Sequence, residues 1–145
     1  MSIREVNITE YFDQALPLMR MNWEETGFNF EFNPNKQFYE NAQAQGFLFA
    51  LAAFEGEELV GYSTAFISPH QFNPAMKYCA TDALYVRPQN RSGTIGGRLI
   101  LQTEQAALKR GANFISWHTR AGTSLASTLR RRGYLAGDAV MMKEF

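Results

Sequence analysis

The sequence predicts a single mixed α/β domain, and three observations lead there. Its 145 residues match one ordinary domain, and a 46% hydrophobic share with 12 Phe, 6 Tyr and 2 Trp can furnish an aromatic core. Strand-like and helix-like stretches alternate without repeats or low-complexity segments. Between residues 84 and 110 a strand runs into a glycine-rich bend and then an amphipathic helix.

The elements follow in order. Ser2–Ile8 mixes Ile3, Val6 and Ile8 with polar residues and reads as a short strand. Thr9 can cap a helix carrying Tyr11, Ala15, Leu16, Leu18, Met19 and Trp23, ended by Gly27. Thr26–Asn35 has no period and reads as a loop; Pro34 then opens a helix over Asn35–Gln45, closed by Gly46. Phe47–Phe54 and Leu59–Ile67 flank Glu55-Gly56-Glu57-Glu58 as a hairpin. Ser68–Ala75, with Pro69 and Pro74, reads as a connection, and Met76–Val86 as a buried strand ended by Arg87-Pro88. The helix after the bend runs to Arg110 and stops at Gly111. Asn113–Thr119 is then a strand, Thr123–Arg132 a helix stopped by Gly133, and Ala139–Phe145 a final strand.

Composition narrows the functional classes. No run of about 18 apolar residues exists, so no membrane span is expected. The start MSIREVNITEYF carries no basic segment followed by an apolar one, so no secretory signal is expected. Cys79 stands alone, which excludes an internal disulfide and points to the cytoplasm; a small buried thiol suits it better than a nucleophile. His70 and His118 lack a surrounding ligand cluster, and no metal is expected. The net charge of zero hides a split: −7 over residues 1–86, +8 over 87–132 and −1 over the rest. Such a split can hold an anion in one half and draw a cation to the other, or can merely reflect solvated faces of different sign.

The informative stretch is Leu84-Tyr85-Val86-Arg87-Pro88-Gln89-Asn90-Arg91-Ser92-Gly93-Thr94-Ile95-Gly96-Gly97-Arg98-Leu99-Ile100. A glycine bend opening a helix leaves several N–H groups without internal partners, and with the helix dipole they make an anion site. Glycine matters because a phosphate reaches the backbone only where no Cβ intervenes. The spacing fits neither GxGxxG nor GxxxxGK[ST], which argues against a dinucleotide fold or a P-loop.

Here the chain resembles the GNAT superfamily of acyl-CoA-dependent N-acyltransferases. The hallmark is Arg/Gln-x-x-Gly-x-Gly/Ala after a strand ending in Leu-x-Val. Leu84, Val86, Arg91, Ile95, Gly96 and Leu99-Ile100 match, while Thr94 replaces the middle glycine and Gly93 stands one place earlier. The element order and the closing Arg132-Gly133-Tyr134 agree as well, over essentially the whole of 1–145. The resemblance implies a mixed, mostly antiparallel sheet splayed at its centre with helices on both faces. It implies acetyl-CoA as cofactor. Backbone groups of Leu84, Tyr85 and Val86 would line the pantetheine arm. Arg91, Ser92, Gly93, Thr94, Ile95, Gly96, Gly97 and Arg98 would take the pyrophosphate, and Arg87, Arg91 or Arg98 would face phosphate charge or stay on the surface.

Acyl transfer to an amine needs the amine deprotonated, the carbonyl polarised and the two reactants held together. Asp82, two residues before Leu84, is the candidate base, and burial would raise its pKa; it can also be an ion-paired carboxylate or one that only orients the amine. Many family members carry a Tyr as general acid where this chain has Leu129, and an Asn where it has Gly122. Ser124, Thr128, His118 and Tyr134 are the substitutes at hand. The acceptor is expected against the first helices, where Trp23, Glu24, Phe28 and Phe30 offer carboxylate and aromatic faces to a cationic amine. Expected partners are a small-molecule or protein amine, and a homodimer is compatible; the charge balance argues against strong duplex binding. Two other readings stand beside this one. One is a CoA-binding regulatory module without turnover. The other is a phage-type relative modifying a nucleobase or a host protein, suggested by Trp117-His118-Thr119-Arg120 and the Arg-Arg-Gly-Tyr ending.

Overall fold

The computed structural model describes residues 1–120 and 122–145. Strands β1 (Ser2–Val6), β2 (Leu48–Glu55), β3 (Glu58–His70), β4 (Asn73–Val86) and β5 (Ala112–Ser116) lie side by side in that order. Neighbours are antiparallel except β4 and β5, which run parallel because helix α3 (Ile95–Lys109) carries the chain back between them. Helices α1 (Phe12–Thr26) and α2 (Lys36–Ala44) cover one face and α3 the other; α4 (Ser124–Arg131) follows β5. This is a mixed, mostly antiparallel sheet with helices on both faces, as the resemblance implied.

Side-chain alternation sorts the core into two layers. From β2, Leu48, Ala50, Ala52 and Phe54 join Phe12, Ala15, Leu18, Met19 and Ala42 of α1 and α2. Phe49, Leu51 and Ala53 instead join Ile95, Leu99, Ala106 and Ala107 of α3. A strand buried on both sides must be apolar throughout, which is why β2 reads LFALAAF. Across the α3 layer, the buried Ser63 and Thr103 hydroxyls satisfy one another at 2.9 Å.

Several sequence expectations are corrected. The first strand ends at Val6 rather than Ile8, because Asn7 and not Thr9 is the cap: its carboxamide oxygen accepts from the Thr9 N–H at 3.1 Å and opens a 3₁₀ turn over Ile8–Tyr11. Ser68–Ala75 is no loose connection. β3 continues to His70 and β4 begins at Asn73, three residues before the expected Met76. Pro69 is tolerated there because β2 stops opposite Phe66. The Ile67 N–H still reaches Phe47 on that side at 2.9 Å, and two residues on, the missing N–H of Pro69 faces an unpaired edge. The expected strand Asn113–Thr119 is only Ala112–Ser116, since its ladder with β4 ends at Ala80↔Ser116. Ala139–Phe145 is not a strand: the segment pairs with no strand among the described residues, and Val140, Met141, Met142 and Phe145 are exposed. Local β-propensity does not make a strand without a partner.

The charge split is bridged in part by three ion pairs between the two halves. Arg87 meets Glu58, Arg91 meets Glu25 and Arg110 meets Glu5.

Candidate functional site

The site begins where β4 and β5 part. Their parallel pairing runs from Lys77↔Ala112 to Ala80↔Ser116 and no further, and at the fork the Thr81 hydroxyl donates to the Ser116 carbonyl at 2.8 Å. Beyond it, Ala83–Val86 has β3 on one side and no strand on the other. The Arg87 N–H reaches Val60 on β3 at 2.9 Å. By antiparallel alternation Tyr85 therefore pairs with Tyr62, while Leu84 and Val86 turn their backbone groups towards the gap.

The same strand bends just before the gap. Thr64 faces Ala83 but Ala65 faces Thr81, so Asp82 is the extra residue of a β-bulge, which re-aims its side chain. The Thr64 hydroxyl donates to the Asp82 carboxylate at 3.3 Å. Surrounding protein raises the Asp82 pKa above the ordinary carboxylate value, with the Thr64 hydrogen bond and nearby His118 pulling the other way. Asp82 as a residue is nonetheless exposed. Tyr39 and Tyr62 sit close enough that Asp82 adds to the rise that burial causes in their phenols.

The glycine bend lies on the far side of the gap. A 3₁₀ turn over Pro88–Asn90 leads into it, and the first N–H with a helical acceptor is that of Arg98, to the Thr94 carbonyl at 3.0 Å. Among the described residues, the N–H groups of Ser92, Gly93, Thr94, Ile95, Gly96 and Gly97 donate to nothing. The space over Gly93, Gly96 and Gly97 is open, with no atom within 4 Å of where a Cβ would stand. A row of free, uncovered amides at a helix N-terminus, beside a strand with free backbone groups, fits a diphosphate attached to an extended amide-bearing arm.

The three nearby arginines differ. Arg87 is held by Glu58. Arg91 donates from Nε to the Val86 carbonyl at 2.7 Å and from Nη2 to Glu25 at 2.7 Å, and its guanidinium lies 5.0 Å from the Tyr85 ring centre. Arg98 is exposed, donates from Nη1 to the Met1 sulfur at 3.8 Å, and has no carboxylate partner among the described residues.

Where the sequence leads us to expect the acceptor, Trp23 packs against Phe30 and Phe32 at 6.4 and 5.8 Å, and Phe28 stacks on Phe30 at 5.0 Å. Phe28, Phe30 and Glu24 are exposed. It is Glu25 and not Glu24 that reaches the sheet, accepting from the Tyr85 hydroxyl at 3.3 Å. Helical phase could have found it: Glu25 continues the stripe of Phe12, Ala15, Leu18 and Asn22, whereas Glu24 falls off it. Thr64 and Tyr39 were also missed, since only the bulge and the packing of α2 bring them to Asp82.

Among the acid candidates, Tyr134 donates to Glu104 at 2.8 Å on the α3 side and its phenol is pushed up to about 12, chiefly by burial. Thr128 accepts from Arg131, Ser124 is exposed at the start of α4, and Leu129 is buried. His118 alone of these lies within electrostatic reach of Asp82. A cavity of about 250 Å³ lies by Tyr134, Leu108 and Phe114, and a groove of about 590 Å³ by Lys77, Lys109 and Arg110. Neither includes Asp82 or the bend; the site is an open cleft defined by its free amides. No described helix is long and apolar enough to cross a membrane.

The model of the acetyltransferase (GNAT) family matches residues 15–134. Among curated protein sequences nothing matches. Solved structures share the fold at low identity. One is an aminoglycoside acetyltransferase from an uncultured soil metagenomic sample in complex with sisomicin, at 18% identity and TM-score 0.77, covering 99% of this chain and 94% of that one. Another is a ribosomal-protein-alanine N-acetyltransferase from Brucella melitensis, at 17% and 0.75, covering 99% and 98%. A third is a predicted acetyltransferase with acetyl-CoA from Clostridium acetobutylicum, at 13% and 0.78, covering 99% and 95%.

Proposed function

The chain belongs to the GNAT acetyltransferase family and is an acyl-CoA-dependent N-acyltransferase; from that premise we propose that it transfers an acetyl group from acetyl-CoA to a primary amine of a small molecule or a protein, by direct attack. The observation that carries this reading is the row of uncovered, acceptor-free amides from Ser92 to Gly97 beside the fork in the sheet. Those amides hold the diphosphate, and Arg98, the next residue along α3, brings a positive charge with no carboxylate partner among the described residues. The backbone groups of Leu84 and the Val86 N–H, which face the gap, orient the arm. Bound acetyl-CoA supplies the activated acetyl thioester.

On the acceptor side, Trp23, Phe28 and Phe30 offer aromatic faces, and Glu24 negative charge, to a cationic amine. Asp82 takes the proton that the ammonium must lose before it can attack. Its raised pKa brings it nearer the value a general base needs, and Thr64 fixes the carboxylate that does so. The departing thiol needs little help, because ordinary thiols ionise near pKa ~8.5. A buried Leu129 at the usual acid position is therefore compatible with turnover. Amine acceptors of both kinds occur among proteins of the same fold, one acting on aminoglycosides and one on ribosomal-protein alanine. The lone buried thiol of Cys79 suits the cytoplasm.

Titration calorimetry with CoA and acetyl-CoA, followed by thiol-release assays over amines, aminoglycosides and peptides, tests the proposal. Binding with turnover of at least one amine is expected. Absence of binding at millimolar CoA refutes the cofactor reading, and binding without turnover across the panel favours a regulatory module.

A further inference from the structure

Four parts of the molecule meet at Glu25. Its carboxylate Oε1 accepts from Arg91 at 2.7 Å and from the Tyr85 hydroxyl at 3.3 Å, and Arg120, beyond β5, donates to its main-chain carbonyl. Arg91 in turn holds the Val86 carbonyl at 2.7 Å. The last turn of α1, the parted end of β4, the start of the glycine bend and the segment after β5 are thus joined through one side chain and its backbone.

Stability is a poor account of this arrangement. The Arg91 and Glu25 side chains are 43% and 38% exposed, and an exposed ion pair contributes little to folding. What the contacts supply is placement. With Nε on a carbonyl and Nη2 on a carboxylate, the Arg91 side chain is engaged within the protein, which holds the chain where the bend begins. The Val86 carbonyl, which points into the gap, is also satisfied from within the protein.

Resting on the cofactor reading above, we propose that Glu25 is a positioning residue for CoA binding. It holds Arg91, and through Arg91 the open end of β4 and the bend, in the arrangement that receives the diphosphate, and it ties that arrangement to the acceptor wall at the end of α1. Sites joined in this way are thermodynamically linked, so order in one favours order in the other.

The test is a double-mutant cycle read by calorimetry with CoA, using the wild type, Glu25→Gln, Arg91→Lys and the double variant. Glutamine keeps the shape and removes the charge; lysine keeps the charge and loses the bond to Val86. Each single change is expected to weaken CoA at least about fivefold. The double variant is expected to be no weaker than the worse single, and the unliganded melting midpoints to stay within about 2 °C of wild type. Unchanged binding by Glu25→Gln, or losses that multiply in the double variant, overturns the proposal. So does a fall in midpoint that parallels the loss of affinity. A wild type that does not bind CoA removes the cofactor reading and this inference together. A wild type that binds, beside a Glu25→Gln that binds equally well, sinks Glu25 alone.

Discussion

One added methyl at Gly61 tests how tightly β4 is held against its neighbours. Gly61 faces Val86 in the ladder, and a Cβ placed on it stands 3.0 Å from the Tyr85 carbonyl oxygen and 3.4 Å from both Leu99 Cδ1 and Val86 Cγ2. The oxygen belongs to a main chain paired with β3 and cannot swing aside. Leu99 is fully buried and Val86 nearly so, which leaves neither side chain room to yield. Overpacking of this kind costs about 1–3 kcal/mol. Replacing glycine restrains the unfolded chain and returns about 0.4–1 kcal/mol. Gly61→Ala should therefore lose roughly 1–2 kcal/mol, or about 2–8 °C in melting midpoint for a domain this size. Gly97→Ala is the control. It adds the same methyl in the first turn of α3 with no atom within 4 Å, and should gain about 0.5–1 kcal/mol from helix propensity. Urea and thermal melts followed by circular dichroism read both. If Gly61→Ala proves as stable as the wild type, the close approach of β3, β4 and α3 is not what this reasoning takes it to be.

Three further predictions concern Asp82 and Cys79. Asp82→Asn should slow acetyl transfer by about 10²-fold or more while sparing CoA affinity, and should abolish the acidic limb of the pH–rate profile, which in the wild type rises as pH climbs through the elevated carboxyl pKa. A carboxyl whose folded pKa is raised loses stability as pH rises from its unfolded to its folded pKa. The same variant should therefore melt above the wild type at neutral pH, and its advantage should fade as pH falls through the usual carboxylate range; equal midpoints at neutral pH contradict this. The Cys79 thiol, fully buried and pushed up to about 11, should resist a thiol-titrating disulfide reagent at pH 8 in the native protein and react at once in urea; rapid native reaction would show that its layer opens readily.

Legibility in the sequence followed the range of the forces involved. The bend and α3 could be read because glycines, an apolar stripe and a stop at Gly111 are all local signals. The hairpin around Gly56 could be read for the same reason. What Asp82 does depends on a bulge, which belongs to two strands at once: nothing in Thr81-Asp82-Ala83 says that Ala65 will pair past it. The length of the β3–β4 hairpin was hidden because proline forbids a strand only where its missing N–H is needed, and at Pro69 that side is empty. Ala139–Phe145 failed in the opposite sense, with propensity present and no partner to use it. Glu25 was within reach, since helical phase separates it from Glu24, but the contacts it makes lie 60 and 66 residues away.

The hydroxyl of Thr81 on the Ser116 carbonyl has a consequence for the whole sheet. Two neighbouring strands with free backbone groups tend to zip together, and a short ladder left open tends to fray. A side chain that takes the last carbonyl prevents both, since it occupies the position where the next rung would form and removes the unmet acceptor that would loosen the one before. The slit in this sheet is thus built in at a fixed depth.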